Sequence, residues 1–283
     1  MLKLGVVSYL NSRPLIDGLA AADLQLEFDV PARLSQRLDA GEFDAALIPL
    51  ADVIRSAGKV QVISDACIAS DGETMTVRVF SQVPPDRIRT LHVDLDSHTS
   101  VALARILWHE LYSRELTLKP FETRKLLTDT PIELEAIEAV LLIGDKVVDA
   151  RRGSFAYEVD LGGAWRQMTG LPFVFAVWAS RTSELKPGTS LQLATRLTEA
   201  RDRGVVRAPE IARTQGPELG WTPAVADRYL ARCLKFKLDE RMVAGADLFA
   251  SHCRKLGIAP PEGTIRWDLS MTGRTETQEI AKH

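Results

Sequence analysis

Four short segments carry side chains whose type and spacing can do chemistry. Asn11 and Ser12 stand between an apolar run ending at Tyr9 and the sequence Ser12-Arg13-Pro14-Leu15, which has the form of a helix start. An amide donates and accepts hydrogen bonds without titrating, so Asn11 can orient a hydroxyl or a carboxylate at any ordinary pH. Asn11 and Ser12 can equally serve as helix caps. Ser97-His98-Thr99-Ser100 comes after Asp94-Leu95-Asp96 and puts small hydroxyls at the start of a helical pattern. Free backbone N–H groups, the helix dipole and these hydroxyls can face one carboxylate or phosphate, and His98 can add a charge or a proton. The other reading is a capping run with an exposed histidine. Ser70 and Thr76, in the polar stretch before the Val77 run, can offer hydroxyls or belong to an ordinary turn. Gly144-Asp145 closes a strand-like run. Its glycine admits close backbone approach, and Asp145 can bind a substrate hydroxyl or cap a helix start.

No standard catalytic signature accompanies them. The chain has no phosphate-binding loop of the Walker type, no nucleophile elbow, no His-Glu-x-x-His and no dinucleotide fingerprint. With 35 basic against 38 acidic side chains there is no cationic excess to neutralise phosphates, so nucleic acid is not an expected partner. The 46% hydrophobic and 26% charged content over 283 residues is that of a globular protein and excludes a disordered or collagen-like chain.

The elements that must position these residues read as two α/β units. Leu4–Tyr9, Leu24–Val30 and Phe43–Leu47 are strand-like, with an amphipathic helix over Pro31–Ala40, where Leu34 and Leu38 are four apart and Gly41 ends the helix. This alternation predicts right-handed crossovers and a parallel sheet. A second unit begins near Pro84-Pro85, with strands at Leu91–Asp94, Thr117–Phe121 and Ala139–Ile143 and a helix over Ser97–Leu111. Phe173–Ala179 is an apolar strand able to carry the chain back, and the chain beyond it reads as helical. Helices start at Thr222-Pro223 and at Asp239. The expected division is residues 1–84 with 180–283 as one lobe and 85–179 as an inserted lobe, with a flexible tail over 270–283. Ligands of such folds sit at the carboxyl ends of the strands, in the cleft between lobes.

Cys67, Cys233 and Cys253 are odd in number, have no ligand-spaced partners and read as buried free thiols. No metal site is expected. The N-terminal sequence lacks the pattern of a secretory leader and no window has the length of a membrane-spanning helix, so a cytoplasmic location without membrane attachment is expected.

Taken in order, Asn11-Ser12-Arg13-Pro14-Leu15, Asp44 to Pro49, Asp96 to Ser100, Leu142-Ile143-Gly144-Asp145, and Trp165 through Thr169 to Ala176 resemble the chorismate dehydratases, the first enzymes of the futalosine route to menaquinone. The resemblance runs to about Leu256. It implies a type II periplasmic-binding-protein fold used as a cofactor-independent carbon–oxygen lyase. The implied reaction removes water from chorismate to give 3-[(1-carboxyvinyl)oxy]benzoate. On this resemblance Asn11, Ser70 and Thr76 are candidate catalytic residues, and Ser12, Ser97, His98, Thr99, Ser100 and Asp145 candidate substrate-binding residues. The base would be His98 or, preferably, the substrate's own enolpyruvyl carboxylate, because Asn, Ser and Thr orient rather than abstract. The His98 position is associated with Arg in relatives, and neutral His cannot make the two-pronged carboxylate contact of Arg. A monomer or dimer is expected.

Two other readings share the fold. The sister enzyme 1,4-dihydroxy-6-naphthoate synthase carries a Cys-Pro-Asn-Asp type first loop, where this chain has Asn-Ser-Arg-Pro-Leu. A solute-binding protein would hold a small anion without turnover.

Overall fold

The computed structural model describes residues 1–19, 21–94, 96–121, 137–148, 155–182 and 184–268. The expected tail over 270–283 lies outside them.

Strand β1 (Leu2–Val7) opens the chain and leads into a 3-10 turn over Leu10–Ile16. Strand β2 (Leu24–Asp29), helix α1 (Pro31–Asp39), strand β3 (Ala45–Pro49) and helix α2 (Leu50–Arg55) come after it. Helix α1 starts on Pro31, whose fixed φ suits the first turn. It turns Leu34 and Leu38 fully inward, and Gly41 ends it at φ +79. Each such leucine contributes about 1.5–3 kcal/mol through removal from water. The long strand β4 (Val60–Ser70) then crosses to β5 (Val77–Ser81).

Strand β6 (Thr90–Asp94), helix α3 (His98–Tyr112), β7 (Thr117–Phe121), β8 (Ala139–Ile143), β9 (Tyr157–Asp160) and α4 (Leu161–Thr169) come next. Strand β10 (Phe173–Arg181) precedes α5 (Pro187–Val206), α6 (Ala208–Gln215) and α7 (Pro223–Arg228). A π turn over Tyr229–Cys233, a short strand β11 (Lys235–Lys237) and α8 (Glu240–Lys255) complete the order. No helix among the described residues is long and apolar enough to cross a membrane.

Two sheets result. The first has the order β11-β4-β10-β3-β1-β2 and the second β7-β6-β8-β5-β9. The β2, β1 and β3 strands are parallel, as the alternating pattern predicts. Strand β10 is antiparallel to both β3 and β4 and buried through Ser180, which explains its unbroken apolar run.

Sheet membership departs from the expected boundaries at two strands. Val77–Ser81 pairs with β8 and β9 and so belongs to the second sheet, although it precedes residue 84. Phe173–Arg181 lies within the first sheet, although nearly all of it precedes residue 180. The crossings therefore fall between β4 and β5 and between β9 and β10. The Pro84-Pro85 pair marks only a turn inside the second sheet, because a proline pair interrupts a strand without ending a layer. Strand β11 breaks the helical run expected after β10; three residues are too few to show a period.

Candidate active site

The carboxyl ends of β1, β3, β6 and β8 meet at one cavity enclosing about 540 Å³ with its open mouth. Its wall includes Asn11 from the 3-10 turn, Thr76 from the first crossing, Ser97, Thr99 and Ser100 from the start of α3, and Tyr229 from the π turn. None of the described residues lining it is Asp, Glu, His, Lys or Arg.

The turn that presents Asn11 is pinned to the strand before it. The Ser12 hydroxyl donates to the Val7 carbonyl at 2.5 Å and lies 2.9 Å from that of Tyr9. Ser12 is fully buried, is absent from the cavity wall and caps no helix. Its work is to hold the loop. Asn11 Oδ1, by contrast, is buried without a hydrogen-bond partner. A buried carbonyl oxygen without a donor is costly, and such a group in a cavity wall is set to receive one.

Opposite lies the N-terminus of α3. Ser97 is the cap: its hydroxyl oxygen accepts from the Ser100 N–H at 3.3 Å and donates to the Ser100 hydroxyl at 2.7 Å. Val101 N–H goes to the Ser97 carbonyl, so the N–H groups of His98 and Thr99 lie at the open end of the helix. Thr99 Oγ1 accepts from the backbone N–H of Ala51 at 3.1 Å, which binds the start of α2 to the start of α3. Pro31 at the start of α1 and Pro49 before α2 also line the cavity. Three helix starts thus converge on it, and the positive ends of their dipoles favour an anion.

Four expected ligand groups lie elsewhere. His98 is absent from the wall, because neighbouring helix positions project in different directions. Its Nδ1 sits 2.8 Å from Asp52 Oδ1, between the first helix of the second sheet and α2. Ser70 is fully buried and donates to the Gly72 carbonyl at 3.2 Å. Asp145 is also off the wall. It accepts from the Leu10 N–H at 3.3 Å and from the Trp221 indole N–H at 2.9 Å. Burial pushes its carboxyl up to about 6, against the pull of those two donors and of Arg13 and Lys146. Gly144 beside it has φ +62, and a Cβ there would come within 2.8 Å of the Tyr9 ring. The Asp145 side chain caps no helix; it ties the two sheets together. Ser12, joined to β1, completes this set.

Aromatic residues escape a reading of the sequence. Tyr9, Phe175 and Tyr229 line the cavity, yet each sits in a stretch that reads as core. Tyr229 Oη lies 2.8 Å from Thr76 Oγ1. No local pattern separates a tyrosine that packs from one that also presents its hydroxyl. Cys67, Cys233 and Cys253 are buried and unbridged, as expected.

The fold is shared with solved proteins. A protein of Archaeoglobus fulgidus superposes with a TM-score of 0.72 at 14% identity, covering 91% of this chain and 98% of its own. The periplasmic aliphatic sulphonate-binding protein of Escherichia coli gives 0.63 at 10% identity, covering 92% and 93%. This is the periplasmic-binding-protein-like fold. In sequence, a chorismate dehydratase of Thermus thermophilus is 29% identical over 264 residues, which is 87% of this chain and 93% of that protein. The profile of the menaquinone biosynthesis family matches residues 2–255. The chain, with its two α/β sheets and a shared cavity at their strand ends, belongs to the menaquinone biosynthesis family.

Proposed function

We propose that this protein is a chorismate dehydratase, a cofactor-independent hydro-lyase acting in the cytoplasm on the way to menaquinone. The observation that carries the reading is the pairing, across one cavity, of the unpartnered Asn11 Oδ1 with the hydroxyl-rich start of α3. The likeness to the Thermus thermophilus dehydratase supports it. The two sheets serve as the lobes of the cleft, with the described residues between 77 and 160 forming the second.

Chorismate is a dicarboxylate with a ring hydroxyl at C4. Ser97, Ser100 and the free N–H groups of α3 hold one carboxylate, and the starts of α1 and α2 add favourable potential. Asn11 Oδ1 accepts from the C4 hydroxyl and fixes the ring. Among the described residues the cavity wall has no strong side-chain base, so the substrate's enolpyruvyl carboxylate takes the C3 proton. The protein's contribution is then position and exclusion of water, which suffices where the product gains aromaticity. Ser12, His98 and Asp145 shape the loops and do not touch the substrate.

The test is to mix purified protein with chorismate and follow the mixture by chromatography with mass detection. A product lighter by one water, with benzoate absorbance and no added cofactor, is expected. Chorismate left intact beyond its spontaneous decay overturns the reading.

A further inference from the structure

We infer that Tyr229 is a catalytic residue of this dehydration, donating a hydrogen bond from its phenol to the oxygen that leaves C4. The inference rests on the proposed activity and adds a group to it. Tyr229 lines the cavity while its ring is almost wholly buried. Its oxygen lies 2.8 Å from Thr76 Oγ1, and Asn11 lines the same cavity. Either oxygen of the Thr76 contact can be the donor; with Thr76 turned to donate, the phenol's own O–H is left for what enters the cavity.

The ring is held against rotation. Trp221 stacks on it with centroids 4.8 Å apart and planes within 11°. The Trp221 N–H is in turn fixed on Asp145, 2.9 Å away. Burial keeps the phenol well above the ordinary tyrosine range, against the side-chain hydrogen bonds of Thr76 and Asn11. It therefore stays protonated throughout the working range and acts as a donor, not a base.

The step balances. The C3–H bond breaks, its proton passes to the substrate's enolpyruvyl carboxylate, and its electron pair becomes the new ring double bond. The C4–O bond breaks as that pair arrives. Charge develops on the departing oxygen, where a preplaced donor acts most strongly. The oxygen then takes the C3 proton and leaves as water, with Tyr229 unchanged. Asn11 accepts from the same hydroxyl before reaction, so the two side chains grip one oxygen through its proton and through its lone pair.

The test is Tyr229→Phe, which keeps the ring and the stack. With wild type turning over chorismate, the variant is expected to lose roughly 100-fold in kcat. KM and the melting temperature are expected to stay close to wild type. A kcat within about threefold of wild type, or a loss carried by KM alone, overturns this role while leaving the dehydratase standing. Wild type without turnover overturns both. Should Tyr229→Phe not fold, 3-fluorotyrosine placed at position 229 keeps ring and hydroxyl and makes a stronger donor. It is expected to change kcat by about twofold or more, and an unchanged kcat overturns the role.

Discussion

The indole of Trp221 lies flat on the phenol ring of Tyr229 and points its N–H at Asp145. One residue thus joins the cavity wall to the contact between the sheets. Trp221→Phe keeps an aromatic face for Tyr229 and removes the donor. Stability is expected to fall by about 2 kcal/mol at pH 7.5, because the lost bond is to a charged acceptor. The loss shrinks at pH 5, where Asp145, with its carboxyl at about 6, is largely neutral. Denaturant titrations at the two pH values check both parts.

Asp145 itself gives stability a definite pH signature. Burial raises its carboxyl from 3.8 to about 6, so the folded state holds the proton more tightly than the unfolded state. That contribution is fully present below about pH 4 and is lost as pH rises through about 6. Asp145→Asn keeps an acceptor for Leu10 and Trp221 and cannot titrate. Wild type is expected to lose roughly 3 kcal/mol relative to this variant between pH 4 and 7.5, most of it by pH 6. Parallel stability curves for the two proteins across that range would remove the titration from Asp145.

Asn11→Ala takes away the buried, unpartnered acceptor that the proposed mechanism assigns to the ring hydroxyl. The Ser12 bonds to Val7 and Tyr9 hold the turn without it. A fall of about 100-fold or more in kcat is expected, with the melting temperature little changed. Steady-state kinetics beside a thermal melt separates a lost contact from a lost loop.

Ser97→Ala removes the cap of α3 and the partner of the Ser100 hydroxyl. The cap is worth about 1 kcal/mol. KM is expected to rise about tenfold, since a carboxylate loses a neighbour of its binding end and the helix start loosens. A KM equal to that of wild type would move the carboxylate away from this helix.

His98→Asn tests the side chain that faces Asp52 and not the cavity. Turnover within about threefold of wild type is expected. A loss of about 100-fold in kcat would restore His98 as the base.

Much of this architecture is legible in the residues. Pro31, Leu34, Leu38 and Gly41 mark α1 because a start signal, an apolar face and a stop signal agree. Ser97 marks the start of α3 for the same reason, and the strand-end rule leads from there to Asn11, Thr99 and Ser100, whereas Thr76 comes from the polar stretch before the Val77 run. The features that are not legible depend on partners distant in sequence. Val77–Ser81 looks the same whichever sheet it joins; only its pairing with β8 and β9 decides. Asp145 reads as a cap because its acceptor role depends on Leu10, 135 positions away. Ser12 and Ser70 carry hydroxyls that satisfy nearby carbonyls, and sequence does not reveal which way a hydroxyl turns.

The two crossings between the sheets are fastened to each other. Asp160, at the end of β9, accepts from the backbone N–H groups of Thr74 and Met75. At Gly162 a Cβ would collide with Thr74 Cγ2, so the start of α4 and the first crossing touch backbone to side chain. Thr74 and Thr76 of that joint also line the cavity. Door frame and workbench are therefore one piece: the residues that join the sheets also shape the wall of the cavity, so a change at the joint is felt at the site.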